Sequence, residues 1–139
     1  MKVVIVGAKT RNTNHDRVQV NELIDAAWAK YPNCLFVSTS HNEGVGKYVR
    51  EKCLERTGAG LFKYQLALVN IQLYVSKLSR QEVTALYQTR IASLLEIGDI
   101  YYYLASENRT GVMEELIGRA LAMNRPVKIL LPGDPIELI

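Results

Sequence analysis

Cysteine is nearly absent from this chain. Cys34 and Cys53 are the only two among 139 residues, too few for a disulfide framework, and no Cys-x-x-Cys pair or Cys/His cluster offers zinc-ligand spacing. His15 and His41 stand apart. Long hydrophobic runs are missing too. The longest, Leu66 to Val75, is interrupted by Asn70 and Gln72 and is too short to span a bilayer. Val3 to Val6 is too short for the apolar region of a signal peptide, so a cytoplasmic protein with no membrane partner is expected. Charge of one sign is scarce: 17 Lys and Arg against 14 Asp and Glu give +3, which lends no support to a nucleic-acid partner. No Ser-His-Asp order, P-loop or paired-histidine motif occurs, and no metal or redox cofactor is expected.

What is present is the balance of a globular domain, with 48% apolar and 22% charged residues; 139 residues suit one core. Val3 to Val6 is a β-branched run ending at Gly7, the form of a strand buried on both faces. Val20, Leu23, Ile24, Ala27 and Trp28 recur at helical spacing, predicting a helix over about 15–30. Pro32-Asn33 breaks it, and Cys34 to Thr39 reads as a strand. Gly44-Val45-Gly46 opens a helix expected to run to about Thr57. A strand over 66–75 follows, then a helix over 79–97 with a stripe of Val83, Leu86, Tyr87, Arg90, Ile91, Leu94 and Leu95. Ile100 to Leu104 reads as a strand. Thr110 could cap a helix striped by Met113, Leu116, Ile117, Ala120 and Leu121, and Val127 to Leu131 closes the pattern.

Strand and helix alternate throughout, which predicts an α/β fold: a single Rossmann-like domain with a five-stranded, mainly parallel sheet and helices on both faces. The short apolar first strand belongs at the centre, giving the order 3-2-1-4-5. In such sheets ligands sit at the carboxyl ends of the strands, so loops 7–14, 39–46 and 105–111 are the candidate site. Gly7, Arg11, Asn12, His41, Gly44 and Gly46 fall in the first two. Tyr101, Tyr102, Tyr103 and Trp28 are more aromatic surface than so small a core is expected to bury, which predicts a homo-oligomer.

The segment TRIASLLEIGDIYYYLASENRTGVMEEL, Thr89 to Leu116, resembles the signature of LOG-type nucleotide phosphoribohydrolases, in which an arginine helix, an aspartate-led strand and PGGxGTxxE follow in turn. It also resembles the glutamate-bearing helix of nucleoside 2-deoxyribosyltransferases. The earlier stretch from Asn14 to Cys53 is similar to the first two strand-helix units of small nucleotide-binding proteins of the same wider group. The resemblances leave residues 58–80 unplaced.

On this resemblance Arg90 matches the helix arginine, Asp99 the strand aspartate, Gly111 the glycine of GTxxE and Glu115 its glutamate. The resemblance implies a catalytic pair, Glu115 and Arg90. Glu115 would be the carboxylate that stabilises an oxocarbenium-like state at the ribose anomeric carbon, and Arg90 a clamp on phosphate or ribose. The PGG is absent, with Ala105 to Thr110 in its place, and Val112 replaces the threonine. Phosphate binding would then fall to Asn108, Arg109 and Thr110, or be lost. The expected function is binding of a nucleotide or nucleoside derivative, with cleavage or transfer at its N-glycosidic bond. The alternative is a non-catalytic sensor or sequestering protein for a nucleotide or ADP-ribose-like signal.

Overall fold

A computed structural model describes residues 1–55, 65–69 and 79–139 of the chain. The elements run β1 (Lys2–Gly7), α1 (Asn14–Lys30), β2 (Leu35–Thr39), α2 (Val45–Cys53), β3 (Gln65–Val69), α3 (Arg80–Ile97), β4 (Ile100–Leu104), α4 (Met113–Ala122) and β5 (Val127–Leu130). The class is α/β. Among the described residues every strand pairing is parallel, and the strands lie side by side as β3-β2-β1-β4-β5. The first strand is therefore central, and the chain crosses from one side of β1 to the other between β3 and β4.

Strand alternation sorts the side chains into two cores. Val3, Ile5, Phe36, Tyr102 and Leu104 face α1 and α2, meeting Val20, Leu23, Ile24, Val45 and Val49. Val4, Val6, Val37, Tyr101 and Tyr103 face α3 and α4, meeting Ile91, Leu94, Leu116 and Ile117. Helices thus cover both faces, which is why β1 and β4 are apolar at nearly every position. All three tyrosines of β4 are fully buried within the single chain, and Trp28 is partly buried against the first core. That removes the surplus aromatic surface on which the expected homo-oligomer stood.

Each of these three hydroxyls has a partner. Tyr101 Oη lies 3.0–3.1 Å from the carbonyls of Leu94, Leu95 and Gly98 at the end of α3. Tyr102 Oη accepts from the Ile139 N–H, and Tyr103 Oη donates to Glu114. Burial raises the pKa of all three, Tyr103 to about 12 with the added repulsion of Glu114.

Two helices begin with a capping box. Thr13 and Asp16 exchange side chain-to-backbone bonds at α1, and Ser79 and Glu82 do so at α3. α2 and α4 have no side-chain cap. Thr110, the expected cap of α4, instead turns its hydroxyl to Asn108, and the helix starts three residues later at Met113. α2 ends at Cys53, short of the expected Thr57: the Leu54 N–H still makes a helical bond to the Arg50 carbonyl, and the Glu55 N–H then closes a tighter turn onto Lys52. β5 stops one residue earlier than expected, at Leu130. The expected strand over 66–75 is met at 65–69; its remainder, and the expected turn at Gly58 and Gly60, lie outside the described residues. Among the described residues no helix is long and apolar enough to cross a membrane.

Candidate functional site

Two clefts open at the carboxyl ends of the strands, divided by the loops that follow β1 and β4. The first, about 570 Å³, lies over β1 and β2. Gly7, Ala8 and Lys9 form one wall, Thr39 and residues 41–46 another, and Tyr87 with residues 111–113 the third. The second, about 780 Å³, lies on the other side of the β1 loop, between the start of α1 and the loops after β4 and β5.

The first cleft is shaped by the turn from β2 into α2. Gly44 holds φ +74°, a left-handed conformation that side-chain-bearing residues adopt only at a cost. At Gly46 a Cβ would stand 2.6 and 2.7 Å from Thr39 Oγ1 and the Thr39 carbonyl. Only glycine lets the first turn of α2 lie this close to the end of β2. The first hydrogen bond within α2 runs from the Tyr48 N–H to the Gly44 carbonyl at 3.1 Å. The N–H groups of Val45, Gly46 and Lys47 precede it, with no capping side chain and no acid in the first turn. They are the orphan donors of a helix N-terminus.

α4 reaches the same cleft but spends two of its entering donors. Its entering amides, those of Glu114 and Glu115, bond the carbonyls of Gly111 and Val112 at 3.2 Å, and both residues are acids in its first turn. Of the two uncapped helices, α2 is the one left open to an anion. His41 leans over that opening. Its Nδ1 shares a 2.7 Å hydrogen bond with Thr39 Oγ1, and burial holds its pKa below the ordinary value. Lys9 and Glu43 bring one charge of each sign to the rim.

Of the residues expected from sequence, Gly7, His41, Gly44, Gly46 and Gly111 meet in the first cleft. Arg11 and Asn108 line the second. Arg11, however, is only 2% exposed. Its Nε bonds Asp16 at 2.6 Å, one terminal nitrogen bonds the carbonyls of Ala105 and Leu130, and the other bonds Gln19. Four of its five N–H donors are thus spent on tying the β1 loop to α1, β4 and β5. Burial alone would raise the pKa of Asp16; the bonds from Arg11 and Thr13 outweigh it and hold the carboxyl below its ordinary value.

Asp99 lies at the other end of the sheet. It precedes β4 and accepts from the Lys2 N–H at 2.7 Å, roughly 16 Å of strand away from the clefts. There it ties β1 to β4, and contact with a ligand in either cleft is out of its reach. Asn12 is exposed and lines neither cleft. Thr110 is held by Ser106 and Asn108. Arg109, at φ +52°, closes a two-pronged ion pair on Glu114 at 2.7 and 3.0 Å. That pairing lowers the Glu114 pKa.

Arg90 and Glu115 share the helical layer of α3 and α4, on one side of the sheet. Neither is among the residues lining the first cleft. Met113, Leu116 and Ile117 set the inward face of α4, and at about 100° per residue Glu115 stands some 200° from Met113. Its carboxylate is exposed and takes both oxygens' bonds from Gln88 Nε2, at 2.8 and 3.0 Å. Arg90 flanks the Ile91–Leu94–Leu95 face, and its Nε is buried with no hydrogen-bond partner. From α3 it is Tyr87 that reaches the cleft.

Sequence reasoning missed Lys9, Tyr87 and the second cleft. Lys9 follows β1 directly, and that position was the available signal; Tyr87 sat in an apolar stripe and read as core. Among the described residues no group of three or more His, Cys, Asp or Glu could hold a metal ion. Comparison with known protein families, characterised proteins and solved structures finds no match to this chain.

Proposed function

We propose that the chain binds a phosphorylated nucleoside as a Rossmann-like nucleotide-binding domain, with the phosphate at the N-terminus of α2 in the first cleft. One observation carries the reading: α2 presents unspent N–H donors, brought against β2 by Gly44 and Gly46, beside the point where the sheet changes direction. Lys9 adds a cation, and Tyr87 an aromatic face on the opposite wall.

The glutamates at the start of α4 do not support cleavage. An N-glycosidase needs a carboxylate that faces the anomeric carbon; Glu115 is held by Gln88 and Glu114 by Arg109 and Tyr103, and neither lines the first cleft. A sensor or sequestering protein for a nucleotide signal needs the cleft alone.

Native mass spectrometry of the purified chain with added nucleoside mono- and diphosphates tests this, with chromatography for released base. A one-to-one complex and no free base are expected. Release of base that Glu115→Gln abolishes would instead establish the hydrolase, and absence of any complex would refute nucleotide binding.

A further inference from the structure

The second cleft is larger than the first and has the opposite chemical character. It too lies at a helix N-terminus, that of α1, but a capping box there satisfies the Asp16 N–H and places the Asp16 carboxylate in the first turn. Asp16 accepts from both the N–H and the hydroxyl of Thr13, and its own N–H bonds Thr13 Oγ1. The charge of the buried Arg11 is neutralised by Asp16 at 2.6 Å. What remains on the walls is Glu22, Glu107 and Asp134, with His15 as the other titratable group. Glu22 and Glu107 are exposed. Asp134 accepts from the Leu131 N–H at 2.9 Å. This cleft therefore offers acceptors and negative charge, which repel phosphate and suit hydroxyl or amino donors.

The two clefts adjoin. Lys9 borders the first and Thr10 the second, so a single peptide link, about 3.8 Å between α-carbons, separates them on the β1 side. On the β4 side Asn108 borders the second and Gly111 the first. At the base the two loops are joined by the Ala8 N–H to the Leu104 carbonyl, at 2.9 Å.

Resting on the nucleotide reading above, we infer that the second cleft receives the nucleoside half of the same ligand. Glu22 and Glu107 accept from its hydroxyl and amino groups while its phosphates remain at α2. The ligand lies across the ridge between the β1 and β4 loops. Phosphate alone fills half of this site.

Calorimetric titration of the full chain with inorganic pyrophosphate and with ADP, GDP, CDP and UDP separates the two claims. Pyrophosphate should bind one to one, and at least one nucleoside diphosphate should displace it and bind about tenfold or more tightly. The double variant Glu22→Gln/Glu107→Gln, altered only at exposed positions, should lose that advantage. Its pyrophosphate affinity should stay within about twofold, since neither glutamate lines the first cleft and solvent-exposed charges are screened by salt. If all four diphosphates bind no more tightly than pyrophosphate, or if the double variant keeps the full advantage, the second cleft is not a nucleoside site and only the phosphate reading stands. If neither pyrophosphate nor any diphosphate binds, the nucleotide reading itself falls.

Discussion

Arg11 shows how a polar residue in a site loop can be committed to structure. Buried guanidinium groups are tolerated when their charge and most of their donors are met, and here Asp16, Gln19 and two strand-end carbonyls take four of the five N–H groups. Arg11→Met should cost about 3–5 kcal/mol, because it strands the Asp16 carboxylate without its partner. Urea unfolding would measure this; a loss below about 1 kcal/mol, the range of an exposed pair, would contradict the assignment. From sequence, Arg11 was legible only as a polar residue after a strand. Nothing local announces that its partners come from Ala105 and Leu130, some hundred positions away. Glu115 was legible as a motif match but its direction was not, although the phase of Met113, Leu116 and Ile117 already turns it outward.

The buried tyrosines of β4 give a pH prediction. Their folded pKa values lie above the usual value near 10, Tyr103 at about 12. The unfolded chain therefore releases these protons first as pH rises. Their stabilisation is complete below pH 10 and is lost progressively as pH climbs towards 12. Ultraviolet titration at equilibrium should show a late class among the eight tyrosines, together with a falling urea midpoint over that interval. A midpoint unchanged between pH 10 and 12 would contradict it. His41 acts in the opposite sense. Its lowered pKa contributes stability above the ordinary value near 6.5 that is lost as pH falls through the folded value.

At the scale of elements, the alternation of strand and helix was plain in the sequence because two cores demand it. Val3 to Val6 feeds both faces, and the stripes of α1, α3 and α4 each show one inward face. Helix starts were less legible. Thr13 and Ser79 cap α1 and α3, whereas Thr110 has a capping residue type and does not cap. Thr13→Ala should cost about 1 kcal/mol through the lost capping box, while Thr110→Ala should cost distinctly less; equal losses in thermal unfolding would argue that α4 does start at Thr110. Gly46→Ala tests the β2–α2 junction. Its Cβ must push α2 away from the Thr39 carbonyl, costing about 1–3 kcal/mol, and pyrophosphate affinity should fall with it. Full affinity in Gly46→Ala would remove α2 from the site.

At the scale of the whole molecule, the helix N-termini among the described residues differ in their chemistry. α1 and α3 carry a side-chain capping box, α4 turns the Glu114 and Glu115 amides onto Gly111 and Val112, and α2 has neither, on the cleft beside the central strand. The central claim is that an anion binds there. The most direct measurement is a two-dimensional amide nitrogen–proton NMR titration of the chain with pyrophosphate. The amides of Val45, Gly46 and Lys47 should shift progressively and saturate, while those of Asn14, His15 and Asp16 at the capped start of α1 stay in place. Saturating shifts at α1 with none at residues 45–47, or no saturating shift anywhere, would contradict the account.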